Sequence, residues 1–489
     1  MSTLKRIARN AGFVFIGDNA LKILTMILVF LIARYLGVEE YGKFSFVISF
    51  TGLFFIVLDL GTRILIVREI AQNKAKASKI ISNVIILKIL SSVFVYAFII
   101  ILAFLLNYEK AVIYGVAIAA LGIIFDSLSS TFESVFQAYE RMEFPAFTKI
   151  TRVLIRFIVT MPFLLKGSGF FPVLIIFVLA QFLNFLISFI LCFKVLVKPI
   201  FDFDKKFTIG LVKRAFPFLL SGIFVTVYFR IDVTLMSKLA PETLAGVYNQ
   251  VSRDAVIGWY SAAYNILDGL ISIPIAVSFA ILPVAVIYFK ESKLKLTRLY
   301  QLSIKYLTYL SLPIAVGVTM LAPKLVILLY KDKYLNSIFA LQILIWTIVP
   351  VFINYMLGAI MTAIHKEKEG LYILFANAII NILLNLVLIP KFSLYGAAVS
   401  TVLTEIFYFS GYYYIISKNL GRISFVNIIA KPLLACVLMG LLIYYLYYMN
   451  IFVLILIGAA TYFISMYLLR AFSEEDMDVI KKLVKIKNV

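Results

Sequence analysis

The sequence predicts an all-α, polytopic integral membrane protein with about fourteen transmembrane helices. Of its 489 residues, 63% are hydrophobic and only 15% are charged, which a water-exposed globular surface does not tolerate. Apolar runs of the roughly 20 residues that cross a bilayer recur along the chain, and no polar stretch between them reaches the size of a domain. We therefore expect a bilayer to surround most of this protein.

The apolar runs define the predicted spans. They lie at about 11–33, 43–66, 81–106, 111–137, 148–166, 171–196, 215–239, 255–289, 299–321, 335–363, 369–389, 394–416, 431–449 and 452–471. The run at 255–289 exceeds the thickness of a bilayer, so we expect its end to tilt or to project into the cytoplasm. The basic N-terminus resembles a secretory signal, but the first run is too long and lacks a small-residue cleavage site, so we expect a retained helix.

The distribution of Lys and Arg predicts the orientation. With the N-terminus inside, alternate loops hold about thirty basic residues and the opposite loops about ten, which places both termini in the cytoplasm and the chain in the cell membrane. The net charge of +21 is spread in short runs between apolar segments. This pattern indicates contact with anionic lipid headgroups, not nucleic acid. The tail Ser473–Val489 is predicted to form a short amphipathic helix at the membrane surface.

Two weak internal echoes indicate a repeat. The end of the first span, Leu36-Gly37-Val38-Glu39-Glu40-Tyr41-Gly42, resembles Leu239-Ala240-Pro241-Glu242 with Gly246 and Tyr248 after the seventh span. A second echo relates 138–143, after the fourth span, to 363–368, after the tenth. An offset of six spans preserves orientation and is typical of parallel repeats in transporters. We expect a six-helix lobe at 1–200, a second at 201–427, and two added helices with a tail at 428–489.

Charged residues within the predicted spans are the main functional signal. A charge at mid-membrane costs about 2.5–3.5 kcal/mol or more, so such residues normally face a bundle interior or a wet cavity. Side chains four residues apart on a helix are about 40° apart and share a face. Three pairs have this spacing: Asp18 with Lys22, Asp59 with Arg63, and Arg152 with Arg156. The last pair is doubly basic, which predicts an anion or a carboxylate from another helix between its members.

Other intramembrane charges are more scattered. Arg230 and Asp232 are about 200° apart, so they cannot both face one cavity, and one of them is expected to pair with a neighbouring helix. Further candidates are Lys88, Asp126, Asp268, Lys305 and Glu405. A purely structural interpretation remains open for each residue, because acid–base pairs can neutralise themselves and basic side chains near a helix end can reach the interface.

Several classes of function are excluded by missing residues. Cys192 and Cys436 lie in apolar stretches and His365 is the single histidine, so neither a disulfide framework nor a metal site is expected. The short loops leave no room for an aqueous catalytic domain, and no clustered acid and base groups indicate an enzyme. No P-loop motif is present, so transport would not be powered by nucleotide hydrolysis on this chain.

Three segments carry a resemblance to a known family. They are Ala33–Gly42; Arg230-Ile231-Asp232 followed by 258–264; and Asn381–Pro390 followed by Gly396-Ala397-Ala398. The chain resembles the polysaccharide-biosynthesis flippases, which are lipid-linked oligosaccharide exporters of the MOP (multidrug/oligosaccharidyl-lipid/polysaccharide) superfamily, related to lipid II flippases and MATE exporters. The resemblance runs from the first span to the twelfth.

The resemblance implies that the protein turns a polyprenyl-diphosphate-linked glycan across the membrane by alternating access. Basic cavity residues would receive the diphosphate, and the positions suited to this role are Lys22, Arg63, Arg152, Arg156 and Arg230. Coupling to an H⁺ or Na⁺ gradient, or pairing within the cavity, would fall to Asp18, Asp59, Asp232, Asp268 and Glu405. No other cofactor is implied, and polysaccharide-assembly enzymes are candidate partners.

Two other functions are kept as alternatives. A cation-coupled exporter of the MATE type would use the intramembrane carboxylates to bind an ion and a cationic drug. A membrane scaffold for polysaccharide enzymes would transport nothing, but the short loops offer it little surface. The excess of basic over acidic groups in the first, second and fifth spans favours an anionic cargo.

Overall fold

The computed structural model describes residues 21–198, 202–242 and 251–472. These residues form fifteen α-helices and no strand, which confirms the predicted all-α, polytopic class. The helices are α1 (21–36), α2 (Val38–Asp59), α3 (Thr62–Gln72), α4 (Ala77–Leu105), α5 (Lys110–Ala138), α6 (Glu143–Leu165), α7 (Phe170–Leu191), α8 (Lys205–Leu239), α9 (Arg253–Glu291), α10 (Lys293–Tyr330), α11 (Ser337–Leu344), α12 (Ile348–Ala363), α13 (Glu367–Leu420), α14 (Phe425–Tyr445) and α15 (Ile451–Leu468). The predicted surface helix Ser473–Val489 lies outside the described residues.

Eleven helical segments of the described chain are long and apolar enough to cross a membrane. The count of fourteen stays a prediction. Helix α13 contains two helices that meet at Ser393, whose φ of 54° and ψ of −133° are not helical, close to the boundary predicted between 369–389 and 394–416. Helix α6, also predicted as a span, is not among the eleven, and it carries Lys149, Arg152 and Arg156.

A backbone break divides the predicted second span. Helix α2 ends at Asp59, Leu60 and Gly61 both adopt left-handed conformations, and α3 starts at Thr62. A Cβ atom on Gly61 would lie 2.5 Å from the backbone nitrogen of Leu219 in α8. Only glycine permits both the positive φ and this close approach. The break therefore fixes where α3 leaves the axis of α2.

The described residues form two compact units. The first contains the chain up to Asn265 together with Leu374–Ser400, and the second contains Ile266–Ile373 and the chain from Thr401 onward. One core of the first unit gathers buried side chains of α3, α4, α5 and α8, and one core of the second gathers those of α10, α14 and α15. These units follow helix packing, whereas the predicted lobes follow the repeat, so the lobe boundaries stay a prediction.

Large apolar side chains cover the outward faces of the helices. On α4, for example, Phe94, Phe98 and Phe104 are 76%, 55% and 69% exposed. Such surfaces are suited to lipid tails and not to water. The polar side chains of the spans point mainly into the units, and they form the groups described next.

Candidate functional site

The densest group of intramembrane charge lies in the first unit, where α5, α6 and α7 pack together. Arg152 Nη1 of α6 donates a hydrogen bond of 2.6 Å to Asp126 Oδ1 of α5. The two side chains are 20% and 32% exposed. This contact confirms the expectation that a carboxylate from another helix meets the Arg152–Arg156 pair.

The second arginine of the pair is held by neutral groups. The guanidinium carbon of Arg156 lies 4.4 Å from the ring centroid of Phe177. With its amide oxygen turned towards Arg156, Gln181 accepts from Arg156 Nη2 at 3.2 Å and donates to the carbonyl of Gly122 at 3.3 Å. The Nε atoms of Arg152 and Arg156 are buried and have no hydrogen-bond partner among the described residues. Both guanidinium groups thus keep donors that a ligand could engage.

The wider group, which we call the arginine cluster, contains Arg63, Asp126, Glu133, Lys149, Arg152 and Arg156. Glu133 interacts electrostatically with Arg152, Lys149, Asp126 and Arg63, and Arg156 does so with Arg152 and Asp126. Within this group four basic side chains stand against two acidic ones, a net charge of +2. Sequence reasoning missed Glu133, although it lies seven residues after Asp126 and hence on the same face of α5.

A second charged group in the first unit is buried, and its charged atoms are hydrogen-bonded to one another and to neighbouring side chains and backbone. Lys88 Nζ of α4 contacts Asp59 Oδ1 at 3.2 Å, the carbonyl oxygen of Ser127 at 2.9 Å and Ser130 Oγ at 3.3 Å. Ser130 Oγ donates in turn to Asp59 Oδ1 at 3.1 Å. Lys88 and Asp59 are only 1% and 2% exposed. This buried ion pair is compensated by hydrogen bonds from its own neighbours.

The predicted Asp59–Arg63 face is wrong in its geometry. The break at Leu60 and Gly61 ends α2 before Arg63, so the two side chains do not stand one turn apart on a continuous helix. Asp59 turns to Lys88, while Arg63 is exposed and makes no hydrogen bond or ion pair with the described residues. Gly61, which follows Leu60 in the sequence, was the signal from which this helix break could have been predicted.

Asp232 lies in a third polar group of the first unit. Its carboxylate is 4% exposed and accepts from Tyr260 Oη at 2.9 Å and from Asn385 Nδ2 at 2.7 Å. Asn385 also donates to Asn381 Oδ1 at 3.1 Å. Arg230, two residues earlier, is exposed, and its guanidinium lies close to Gly52 of α2. This confirms that Arg230 and Asp232 face different surroundings and that one pairs with another helix.

The second unit holds a carboxylate group of different character. Glu405 of α13 is 6% exposed and accepts from Asn354 Nδ2 at 2.8 Å. Tyr408 donates to the hydroxyl of Tyr412 at 2.9 Å, one turn further along α13. Asp268 of α9 is exposed, and it interacts electrostatically with Tyr355, as Glu405 does. This group supplies acceptors and hydroxyls.

The remaining predicted residues are placed as follows. Lys22 is partly exposed on α1, and Asp18 lies outside the described residues, so the structure does not describe their pairing. Lys305 Nζ of α10 lies 5.6 Å and 5.7 Å from the ring centroids of Tyr306 and Tyr309. Within the described residues no group of His, Cys, Asp or Glu side chains could hold a metal ion.

The arrangement can serve two kinds of chemistry. Guanidinium groups with unused donors in a poorly hydrated setting suit a phosphate or diphosphate, which they can engage in charge-assisted hydrogen bonds. Buried carboxylates such as Asp232, which accepts from Tyr260 and Asn385, and Glu405, which accepts from Asn354, suit a proton or a small cation.

Comparison with known proteins gives consistent relatives. The family model described as "Polysaccharide biosynthesis protein" matches residues 7–289, and the model described as "MatE" matches residues 217–387. An uncharacterized membrane protein of Methanocaldococcus jannaschii, MJ1068, is 22% identical over 388 residues, which are 72% of this chain and 74% of the relative.

Solved structures share the fold. The lipid II flippase MurJ in its inward closed conformation aligns with a TM-score of 0.76 and 17% identity, over 93% of this chain and 98% of that one. A MATE multidrug transporter in an inward-facing conformation aligns with a TM-score of 0.60 and 15% identity, over 83% of this chain and 96% of that one. A MOP superfamily transporter from Pyrococcus furiosus is described with a binding pocket of reverse polarity. It aligns with a TM-score of 0.58 and 16% identity, over 86% of this chain and 97% of that one.

Proposed function

Because the chain belongs to the polysaccharide biosynthesis protein family, we propose that it flips a polyprenyl-diphosphate-linked oligosaccharide across the cytoplasmic membrane by alternating access. The observation that carries the proposal is the arginine cluster, with its net positive charge and the unpartnered Nε atoms of Arg152 and Arg156. A diphosphate carries the opposite charge and enough oxygens to occupy both arginines. In this proposal Arg63 receives the diphosphate as part of the cluster, and Lys22 and Arg230 receive it at other points of its path.

The predicted lobes at 1–200 and 201–427 are the bodies that would move in this cycle. The helices at 428–489 are added to them, and both termini stay in the cytoplasm. Anionic lipids would contact the basic loops, and polysaccharide-assembly enzymes would deliver the substrate. We propose that an H⁺ or Na⁺ gradient drives the cycle through Asp232 or Glu405, with Asp18, Asp59 and Asp268 as further candidates. Ion coupling through Asp59 is disfavoured, because its carboxylate already forms an ion pair with Lys88.

The test is transport by the purified full-length protein in proteoliposomes. The substrate is a polyprenyl-diphosphate oligosaccharide, and the measurement is its accessibility to a membrane-impermeant reagent on the far side. Arg156→Gln removes the charge but keeps a polar side chain, and we expect flipping to fall about 10- to 100-fold, as for loss of one or two charge-assisted hydrogen bonds.

Lys305→Gln is the matched control, since it removes an intramembrane cation that lies over two tyrosine rings in the second unit. It should flip at close to the wild-type rate. Equal rates for wild type and Arg156→Gln would refute the role of the arginine cluster. Absence of flipping in the wild type under an imposed H⁺ or Na⁺ gradient would refute the proposed function.

A cation-coupled exporter of MATE type is the second candidate. The observations that favour it are the match of the MatE model to residues 217–387 and the buried Asp232 carboxylate inside that range. It predicts uptake of an organic cation such as ethidium into inverted vesicles, abolished by Asp232→Asn. The basic arginine cluster favours the flippase, because it repels such a cargo.

A further inference from the structure

A polar cavity of about 500 Å³ lies in the first unit, away from the arginine cluster. It is lined by the first turns of α2 and α9, the end of α8 and the loop that precedes α5. The positive-inside rule predicts that these helix ends lie outside the cell. The volume falls in the range of pockets that take small ligands, about 300–1,000 Å³.

Part of the lining is aromatic and apolar. Phe46 and Val112 contribute apolar surface, and the rings of Phe46 and Tyr108 lie 4.8 Å apart between centroids. The Tyr108 hydroxyl is 2.7 Å from Ser237 Oγ, and Lys238 Nζ lies 3.8 Å from the centre of the Tyr108 ring. These contacts hold the aromatic side chain in one orientation, so that an incoming ligand meets a preformed surface.

The polar part of the lining is rich in acceptors. Its carboxylates are Glu39, Glu109, Glu242 and Asp254, against two cations, Lys238 and Arg253. Two of the carboxylates have loose partners: Glu109 lies 3.5 Å from Lys43 Nζ, and Glu242 lies 3.5 Å from Arg253 Nη2. Their side chains are 70% and 58% exposed, so they remain accessible to a ligand.

The cavity has a rigid wall where α2 crosses α9. A Cβ atom on Gly42 would lie 1.8 Å from the carbonyl oxygen of Asp254, so the two backbones touch. Ser252 Oγ donates to Glu39 Oε1 at 2.8 Å across the same crossing. These contacts fix Glu39 and the backbone at Asp254, so this wall of the cavity is preformed.

We propose that this cavity binds uncharged sugar residues of the glycan, an inference that rests on the proposed function. Sugar hydroxyls supply the donors that the surplus carboxylates accept, and sugar C–H faces match the apolar surface of Phe46, Val112 and Tyr108. Four acidic side chains stand against Lys238 and Arg253 in the lining and Lys43 beside it, a net charge of −1, which disfavours the diphosphate. The glycan and the diphosphate thus have separate sites in the first unit.

The first experiment measures binding without transport. The probe is the free oligosaccharide released by mild acid from the lipid-linked pool of the source cells, and saturation-transfer NMR reports its contact with full-length protein in nanodiscs. The double variant Glu109→Ala with Glu242→Ala should weaken binding at least about 10-fold, since it deletes two charged acceptors at exposed positions. Asp332→Asn removes an exposed carboxylate of the second unit that lies outside the cavity and should leave binding unchanged.

The second experiment separates this proposal from the proposed function. The double variant should flip the full lipid-linked oligosaccharide more slowly than wild type, yet flip a polyprenyl diphosphate that bears a single sugar at the wild-type rate. Equal oligosaccharide binding by wild type, double variant and control overturns the sugar site, as does saturable binding of spermine with none of the oligosaccharide. Wild-type protein that binds the oligosaccharide but flips neither lipid leaves the sugar site standing and refutes the flippase.

Discussion

The arginine cluster and the Lys88–Asp59 pair are both charged groups inside the first unit, yet their surroundings are opposite. Lys88 is almost fully buried, and its ammonium contacts Asp59, a carbonyl and a hydroxyl. Arg156 instead faces an aromatic ring and one amide, and it keeps an unpartnered Nε. The difference teaches that an intramembrane charge indicates a ligand site only where its hydrogen-bond donors are left unused.

The largest expected effect is on protein stability, when the Lys88–Asp59 ion pair is broken. Lys88→Met leaves the buried Asp59 carboxylate without its cation, so we expect a loss of about 3–5 kcal/mol in the free energy of unfolding. The measurement is the melting temperature and the folded yield in detergent. Asp59→Asn combined with Lys88→Met should restore much of the stability, because no uncompensated charge remains.

Arg63→Met is the control for that series. Sequence spacing predicted that Arg63 pairs with Asp59. In the structure the Arg63 side chain is exposed and makes no hydrogen bond with the described residues. Its stability should stay within about 0.5 kcal/mol of wild type. A large loss in Arg63→Met, with none in Lys88→Met, would restore the sequence-based pairing and contradict the one in the structure.

A smaller effect is expected when a carboxylate is added beside Arg156 in the arginine cluster. Gln181→Glu would place a carboxylate oxygen 3.2 Å from Arg156 Nη2 and form an ion pair, and it would also remove the donor to the Gly122 carbonyl. We expect flipping to fall about 10-fold, since the net charge of the cluster falls from +2 to +1, and the melting temperature reports the cost of the lost Gly122 hydrogen bond separately. The measurement is the proteoliposome assay described above.

Gln137→Glu makes the same chemical change at an exposed position near the end of α5. It should leave flipping unaltered. If both variants flip at the wild-type rate, the unbalanced charge of the cluster has no role in transport.

The sequence predicts the fold class well because the length of an apolar run is a local property. It also predicts the division of α13, since two apolar runs, 369–389 and 394–416, meet close to the non-helical Ser393. The partners of the charged residues are non-local. Asp126 lies 26 residues from Arg152, Asp59 lies 29 from Lys88, and Asp232 lies 153 from Asn385.

Spacing along one helix therefore identified the face of Arg152 and Arg156 but not the helix that supplies the carboxylate. The same limit explains why the polar cavity lined by Glu109 and Glu242 was not predicted from the sequence. Its lining comes from the ends of four separate helices, and none of those ends carries a recognisable motif by itself.

The smallest expected effect concerns a charge pair exposed to water. Asp204 accepts from Lys79 Nζ at 2.8 Å and from the backbone nitrogen of Phe207 at 2.9 Å, where it caps α8. The hydrogen bond from Lys79, followed by that from the Phe207 backbone, lowers the pKa of Asp204. A lowered folded-state pKa stabilises the protein above the ordinary pKa of about 3.9, and this contribution is lost as pH falls through the folded value.

Asp204→Asn should thus lower the melting temperature slightly at about pH 6, and the difference from wild type should shrink as the pH falls through the lowered pKa of Asp204. Asp202→Asn is the control for charge without a hydrogen bond, because the Asp202 carboxylate interacts with Lys79 through space and only its backbone oxygen accepts a hydrogen bond, from Asn83. A difference between wild type and Asp204→Asn that grows towards acid pH would have the wrong sign. It would show that the exposed pair destabilises the charged carboxylate, contrary to its two hydrogen bonds.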